Sequence, residues 1–352
     1  MSGPTAGRRA RWECRVVRLE LRHPWTTTMS TSDYRETVHA SVSLDGITGL
    51  GEGAPIMRYE ETPEGGRLAI ESQREWLSQT DPGEFSSIVA GFGARLNGQF
   101  AAKAAVEIAA VDWAAQRLGV PVYRLFGLDP ERTPLTSFSI GVDLPELTRQ
   151  KVAEAEPFPV LKIKMGLASD EATMEAVRSV TSKPIRVDVN EGWKDPETAV
   201  RKIRWLEQQG VEFVEQPMPA DRTEEMREVR KQVDVPIFAD EAAPNAEALP
   251  GLVGAYDGVN IKLDKCGGIQ AAIRMIHVAD ALGLKTMLGC MVSSSVGITA
   301  AAHLSPLVDY ADLDGNLLVA NDPYRGVVVR GGKLVLPNRP GLGIQPESRT
   351  AD

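Results

Sequence analysis

Lys162 and Lys164 lie two residues apart in PVLKIKMG (159–166), a run that otherwise reads as a buried strand. Side chains at i and i+2 share a strand face, so both ammonium groups point one way and Leu161, Ile163 and Met165 point the other. Three later runs, RVDVN, FVEQ and IFAD, each carry one carboxylate at or near their ends: Asp188, Glu215 and Asp240. A further lysine, Lys262, ends VNIKLD. Three carboxylates meeting in one place repel unless a cation lies among them. An all-oxygen set with no His or Cys suits Mg²⁺, with Mn²⁺ also possible, better than zinc. A carboxylate substrate on such an ion has an acidified α-proton, because charge developing on the enediolate oxygens is stabilised. A lysine whose pKa is lowered by burial and nearby cations can remove that proton, and a second lysine on the opposite face can return one, inverting the centre.

The elements that must hold these groups follow from the pattern. The chain has 352 residues, 43% hydrophobic and 25% charged, enough for a barrel with an added domain. From residue 15 to 53 the runs RVVRLEL, TVHASVSL and DGITGLGEG alternate and predict a small antiparallel sheet. The Thr- and Ser-rich RHPWTTTMSTSDYR between the first two predicts a mobile loop. Helical spacing follows to residue 118, with AAKAAVEIAAVDWAAQRLG ended by Gly119 and Pro121. After residue 133, eight short β-rich runs (LTSFSIGV, VLKIKMG, IRVDVNEG, FVEQP, PIFADE, GVNIKLD, KTMLGCM, YADLDG) recur between helical stretches at roughly 25-residue spacing, which suits a closed β/α barrel. An open doubly wound sheet would want a Gly-rich phosphate loop, and SIGVDLPEL offers none. The fold class is thus α/β, a (β/α)7β TIM-type barrel. The expected domains are an α+β cap over 1–132 (1–10 a loose arm), the barrel over 133–322, and a C-terminal segment over 323–352 that returns to the cap. In an eight-stranded barrel the second and sixth strands are opposed, so Lys162 and Lys164 face Lys262 across the mouth, with the three carboxylates on the third, fourth and fifth strands between them.

Taken together, GLGEGAP, LKIKMG, DVNEGW, VEQP, ADEA, NIKLDKCGG and PGLGI resemble the enolase superfamily in its muconate-lactonising-enzyme subgroup, over nearly the whole chain. The resemblance implies metal ligation by Asp188, Glu215 and Asp240, acid/base roles for Lys164 and Lys262, and a substrate-carboxylate cation in Lys162. Lys265 lies beyond the strand end and fits less well as a base. Asn190 matches a polar position that supports the first metal ligand.

Within that subgroup YADLDG resembles the dipeptide epimerases, in which an Asp-x-Asp on the eighth strand binds the free α-ammonium; here that is Asp312 and Asp314. MLGCMVSSS is similar to the same enzymes and implies substrate contacts from Met291 and Ser293. In the L-Ala-D/L-Glu epimerases a capping-loop arginine pairs with the substrate side chain, whereas the aligned position here is Ser30, with Arg35 and Arg58 as other sources of a cation. The expected activity is a Mg²⁺-dependent isomerase, a dipeptide epimerase inverting the C-terminal residue by two-base 1,1-proton transfer. The alternative is an N-acylamino acid racemase or o-succinylbenzoate synthase. A net charge of −9 argues against nucleic acid and anionic membranes as partners. No apolar run is long enough for a bilayer, MSGPTAGRRAR has no secretion-signal core, and Cys14, Cys266 and Cys290 form no CxxC pair. These features suggest a cytoplasmic enzyme acting on a small molecule, and the superfamily resemblance implies a homo-oligomer.

Overall fold

The structure, a computed structural model, describes residues 9–28 and 31–347. Strands β1 (Arg11–Thr26), β2 (Thr31–Leu44) and β3 (Ile47–Gly53) form an antiparallel sheet in the order β1-β2-β3. The stretch expected as a mobile loop differs: after an irregularity between Glu20 and Trp25 the hairpin resumes, pairing Trp25 with Ser32 and Thr26 with Thr31. β-branched threonines suit such an extended arm. Ala10, expected in a loose arm, is buried, and its N–H donates to Ser78 O at 3.1 Å. The rest of that arm, apart from exposed Arg9, lies outside the described residues.

The sheet packs on the helix Phe100–Leu118, which ends at Gly119 in a left-handed cap at φ 71°. Contact is close because β3 presents glycine at alternate positions. A Cβ on Gly49, Gly51 or Gly53 would stand 2.1, 2.0 or 1.9 Å from the carbonyl oxygens of Ala109, Ala105 and Ala101. Strand period two thus meets helix period four through residues without bulk.

Eight parallel strands follow: β4 (Phe138–Ile140), β5 (Leu161–Lys164), β6 (Ile185–Asp188), β7 (Val211–Glu215), β8 (Ile237–Ala239), β9 (Gly258–Ile261), β10 (Lys285–Gly289) and β11 (Tyr310–Asp312). They are ordered sequentially, as right-handed β/α units require. The β11 to β4 join is narrow, made by a Thr136–Ala311 bridge and Ser137 N donating to Ala311 O at 3.2 Å. Outward residues such as Leu161, Ile163, Val187 and Ile261 join one large apolar cluster. Phe213, Phe238 and Met287, all buried, and Tyr310 pack together as a separate cluster, with the Arg186 guanidinium over the Phe213 and Tyr310 rings.

Beyond β11 the chain forms β12 (Tyr324–Arg325), β13 (Val328–Arg330), β14 (Lys333–Val335) and β15 (Gln345–Pro346). β13 and β14 pair antiparallel across Gly331 and Gly332, whose positive φ forms the turn. The tail also meets the cap helix: Leu342 N donates to Asp112 Oδ1 at 2.7 Å. No helix among the described residues is long and apolar enough to cross a membrane.

Candidate active site

Register alone sets the first groups side by side, since Lys164 on β5 pairs with Asp188 on β6, and Asp188 with Glu215 on β7. Asp240 follows β8 directly. One oxygen from each of Asp188, Glu215 and Asp240 lies within 4.8 Å of the others, all three buried. Lys162 Nζ stands 3.0 Å from Asp188 Oδ2, 2.7 Å from Glu215 Oε2 and 2.7 Å from Asp312 Oδ2. Lys164 Nζ meets Asp188 Oδ2 at 2.7 Å, and Lys262 Nζ meets Asp240 Oδ2 at 2.7 Å. The two sides of the lumen therefore each tie a lysine to a different member of the carboxylate triad.

Asn260, Gln216 and Lys265 hold this cluster, the first two of them passed over by the sequence reading. Asn260 Nδ2 donates to Glu215 Oε1 at 2.7 Å, and Gln216 Oε1 accepts from Asp240 N at 2.9 Å. Lys265 is buried and donates to Asp240 O and to Asn260 O, so it fixes the Asp240 loop. Asn260 was accessible to the i, i+2 rule, because it shares a strand face with Lys262. Asn190 sits where expected: its N–H donates to Asp188 Oδ1 at 3.0 Å and its Nδ2 to Glu241 Oε1 at 3.3 Å.

The electrostatics correct one expectation. Burial would lower the Lys262 pKa, but Asp240 beside it outweighs burial and raises it; Lys162 is raised likewise by Asp188, Asp312 and Glu215. The buried carboxylates thus hold Lys162 and Lys262 in the charged form. Glu215 Oε2 meets no hydrogen-bond geometry despite its nearness to Lys162. A buried carboxylate oxygen left in that condition, within a hard all-oxygen donor set, fits a divalent cation.

A cavity of about 380 Å³ lies above, lined by Lys162, Lys164, Lys262, Asp312 and Asp314 from the barrel and by Trp25, Arg35, Met57 and Tyr59 from the cap. Met291 lines it, whereas Ser293 does not: it is buried against a void of about 10 Å³ with Glu52 and Gly297. Asp312 already accepts from Ser137 Oγ at 2.7 Å as well as from Lys162, while Asp314 accepts from Ser139 N at 2.6 Å. Arg58 borders the cavity but is engaged by Glu191. Ser30 lies outside the described residues.

A capped β/α barrel with carboxylates on three successive strand ends, flanked by lysines from opposed strands, defines an enzyme of the enolase superfamily. The chain matches "Enolase C-terminal domain-like" over residues 144–350 and "Mandelate racemase / muconate lactonizing enzyme, N-terminal domain" over 11–127, and it belongs to that mandelate racemase/muconate lactonizing enzyme family. Among its relatives, the L-Ala-D/L-Glu epimerase of Bacteroides thetaiotaomicron is 40% identical over 333 residues, covering 93% of this chain and 85% of that one. The L-Ala-D/L-amino acid epimerase of Pedosphaera parvula is 40% identical over 345 residues, covering 94% and 97%. Among solved structures, the dipeptide epimerase from Enterococcus faecalis V583, complexed with Mg and the dipeptide L-Leu-L-Tyr, matches with a TM-score of 0.90 at 31% identity, covering 96% of this chain and 100% of that one. The protein is thus an isomerase of the racemase and epimerase kind.

Proposed function

We propose that the protein is a divalent-cation-dependent dipeptide epimerase that inverts the α-carbon of the C-terminal residue. The observation that carries this reading is the opposed pair Lys164 and Lys262, each bonded to a different carboxylate of the triad and both lining one cavity. Asp188, Glu215 and Asp240 would hold Mg²⁺, and Mn²⁺ suits the same donors. When bound, the ion supplies Lewis-acid stabilisation of the charge that develops on the substrate carboxylate as the α-proton leaves.

The chain's own groups do the rest. Whichever of Lys164 and Lys262 is neutral takes the α-proton from its side, and its charged counterpart delivers a proton to the opposite face. Lys162 contributes fixed positive charge beneath the substrate carboxylate. Asp314, which accepts from the backbone and side chain of Ser139, is the better placed of the two aspartates for the substrate ammonium, since Asp312 is committed to Lys162 and Ser137. Trp25, Met57 and Leu318 add apolar lining to the cavity. In this reading the cap is 1–132, the barrel 133–322 and the returning tail 323–352.

A dipeptide library in D₂O tests the reading. The wild type is expected to exchange the α-proton of the second residue, and Lys164→Ala and Lys262→Ala each to exchange it from one epimer only. Full exchange after exhaustive EDTA treatment would rule the metal-dependent mechanism out. N-acylamino acid substrates turned over equally well by wild type and Asp314→Asn would favour the racemase alternative.

A further inference from the structure

Arg58 and Tyr59 occupy a single 3-10 turn of the cap, Met57–Tyr59, which borders the cavity. Arg58 grips Glu191 with both arms of its guanidinium: Nη2 donates to Oε1 at 2.8 Å and Nη1 to Oε2. Such planar two-bond pairs fix orientation as well as distance. Glu191 is buried, and its Oε1 also accepts from Ala220 N at 2.7 Å. It stands on the barrel side, in the loop after β6, three residues beyond Asp188.

That loop is shaped to receive the cap. Asn190 and Glu191 both hold left-handed backbone, at φ 43° and 62°. Asparagine tolerates this region, but glutamate seldom enters it unless its surroundings impose it. Lys194 Nζ binds the Glu191 carbonyl at 2.5 Å. The other arm of the cap reaches the same pair, with Thr28 Oγ1 donating to Asn190 O at 2.9 Å. Two separate cap segments therefore dock on two consecutive residues, the first of which also donates its N–H to Asp188 Oδ1.

The residue beside Arg58 has no partner of its own. Tyr59 OH is buried and makes no hydrogen bond among the described residues. The charged groups that act on it are Asp240, Lys262, Glu241 and Arg58, which sets it on the Lys262 side of the cavity. Burial raises its pKa, so the phenol stays protonated at neutral pH and serves as a donor. A buried donor aimed at a cavity without an acceptor is a group awaiting a ligand.

We propose that the Arg58–Glu191 pair is a latch that carries the Tyr59 hydroxyl over the Lys262 side of the cavity, where it donates a hydrogen bond to an oxygen of the bound substrate. Tyr59 is then a substrate-binding residue, and Arg58 and Glu191 are positioning residues acting through it. The identity of the substrate rests on the dipeptide reading above; the latch itself does not.

Two measurements on the full-length protein separate these parts. In substrate-free hydrogen–deuterium exchange, Arg58→Gln is expected to speed exchange of the 57–61 amides about tenfold, with the barrel strands unchanged. The double exchange Arg58→Glu with Glu191→Arg should restore the slow rate. In steady-state assays with a turned-over dipeptide, Tyr59→Phe should raise KM about tenfold, as expected for one lost hydrogen bond, with kcat within about twofold. Arg58→Gln should raise KM by the same factor, and the double variant Arg58→Gln with Tyr59→Phe should add nothing further. Unchanged amide exchange in Arg58→Gln, an unchanged KM in Tyr59→Phe, or additive losses in the double variant would each overturn the proposal. If the wild type turned over no dipeptide, the proposed function would fail and the amide-exchange measurement alone would decide the latch.

Discussion

At the scale of single residues, Lys162 is the unusual group. It is 1% exposed, and its ammonium lies 2.7 to 3.0 Å from Asp188, Glu215 and Asp312. Removing one partner from such a buried charged cluster costs about 3–5 kcal/mol, because the remaining charges lose their compensation. Lys162→Met is therefore expected to lower Tm sharply in EDTA, and Mg²⁺ should raise the Tm of the variant by more than that of the wild type. Equal shifts in differential scanning calorimetry would mean that Lys162 does not balance the triad. The lumen-facing direction of Lys162 and Lys164 was legible because a strand has a period of two. Its contact with Asp312 was not, because a flexible four-carbon stem can reach several neighbours and only the finished barrel selects among them. The same limit hid the grip of Lys265 on the Asp240 loop and that of Glu191 on Arg58. Ser293 lies off the lining of the main cavity, because resemblance of its neighbourhood carries no information on which way its side chain turns.

At the scale of elements, the seam between β3 and the helix Phe100–Leu118 depends on what is missing from the strand. Gly51→Ala would drive a methyl to within 2.0 Å of the Ala105 carbonyl, and backbone cannot yield as a side-chain tip can. Overpacking of this kind costs typically 1–3 kcal/mol. Chemical denaturation should show a loss at the upper end of that range, whereas Gly46→Ala, in open space at a turn, should lose stability only through its left-handed backbone. The eight barrel strands and the cap helix were readable from periodicity. The arm from Trp25 to Ser32 was not, since Thr and Ser suit both loops and edge strands, and only pairing across the hairpin decides.

For the whole molecule, cap and barrel are joined by a buried carboxylate. Glu52 on β3 accepts from Ser294 N, Ser294 Oγ and Gly297 N at 2.9, 2.6 and 2.8 Å, at the start of the barrel helix Ser295–Ala302. Burial alone would raise its pKa, but His39 and the Ser294 donors override that and bring it down to about 2. The folded value lies below the ordinary one near 4.5, so the stability it adds is present above about pH 4.5 and is lost as the pH falls towards 2. The gap corresponds to about 3 kcal/mol. Glu52→Gln should be less stable than the wild type at neutral pH, and the two Tm curves should converge as the solution is acidified. Parallel curves would place the acid sensitivity elsewhere.

The lysines and acids of the mouth also define a proton inventory. Six carboxylates, Asp188, Glu215, Asp240, Glu241, Asp312 and Asp314, share the site with four ammonium groups, Lys162, Lys164, Lys262 and Lys265. Fully ionised, they would leave a charge of −2, the complement of one divalent ion. Without that ion, burial together with Asp188 pushes Glu215 up to about 7, burial with Asp240 pushes Glu241 up to about 8, and burial with Asp312 pushes Asp314 up to about 7. These three carboxyls therefore hold protons more tightly than ordinary carboxylates do. Calorimetric Mg²⁺ titrations in buffers of different ionisation enthalpy should show protons released on binding and affinity rising with pH; a buffer-independent heat would contradict this. Proton release and cation binding at this site are then expected to be linked.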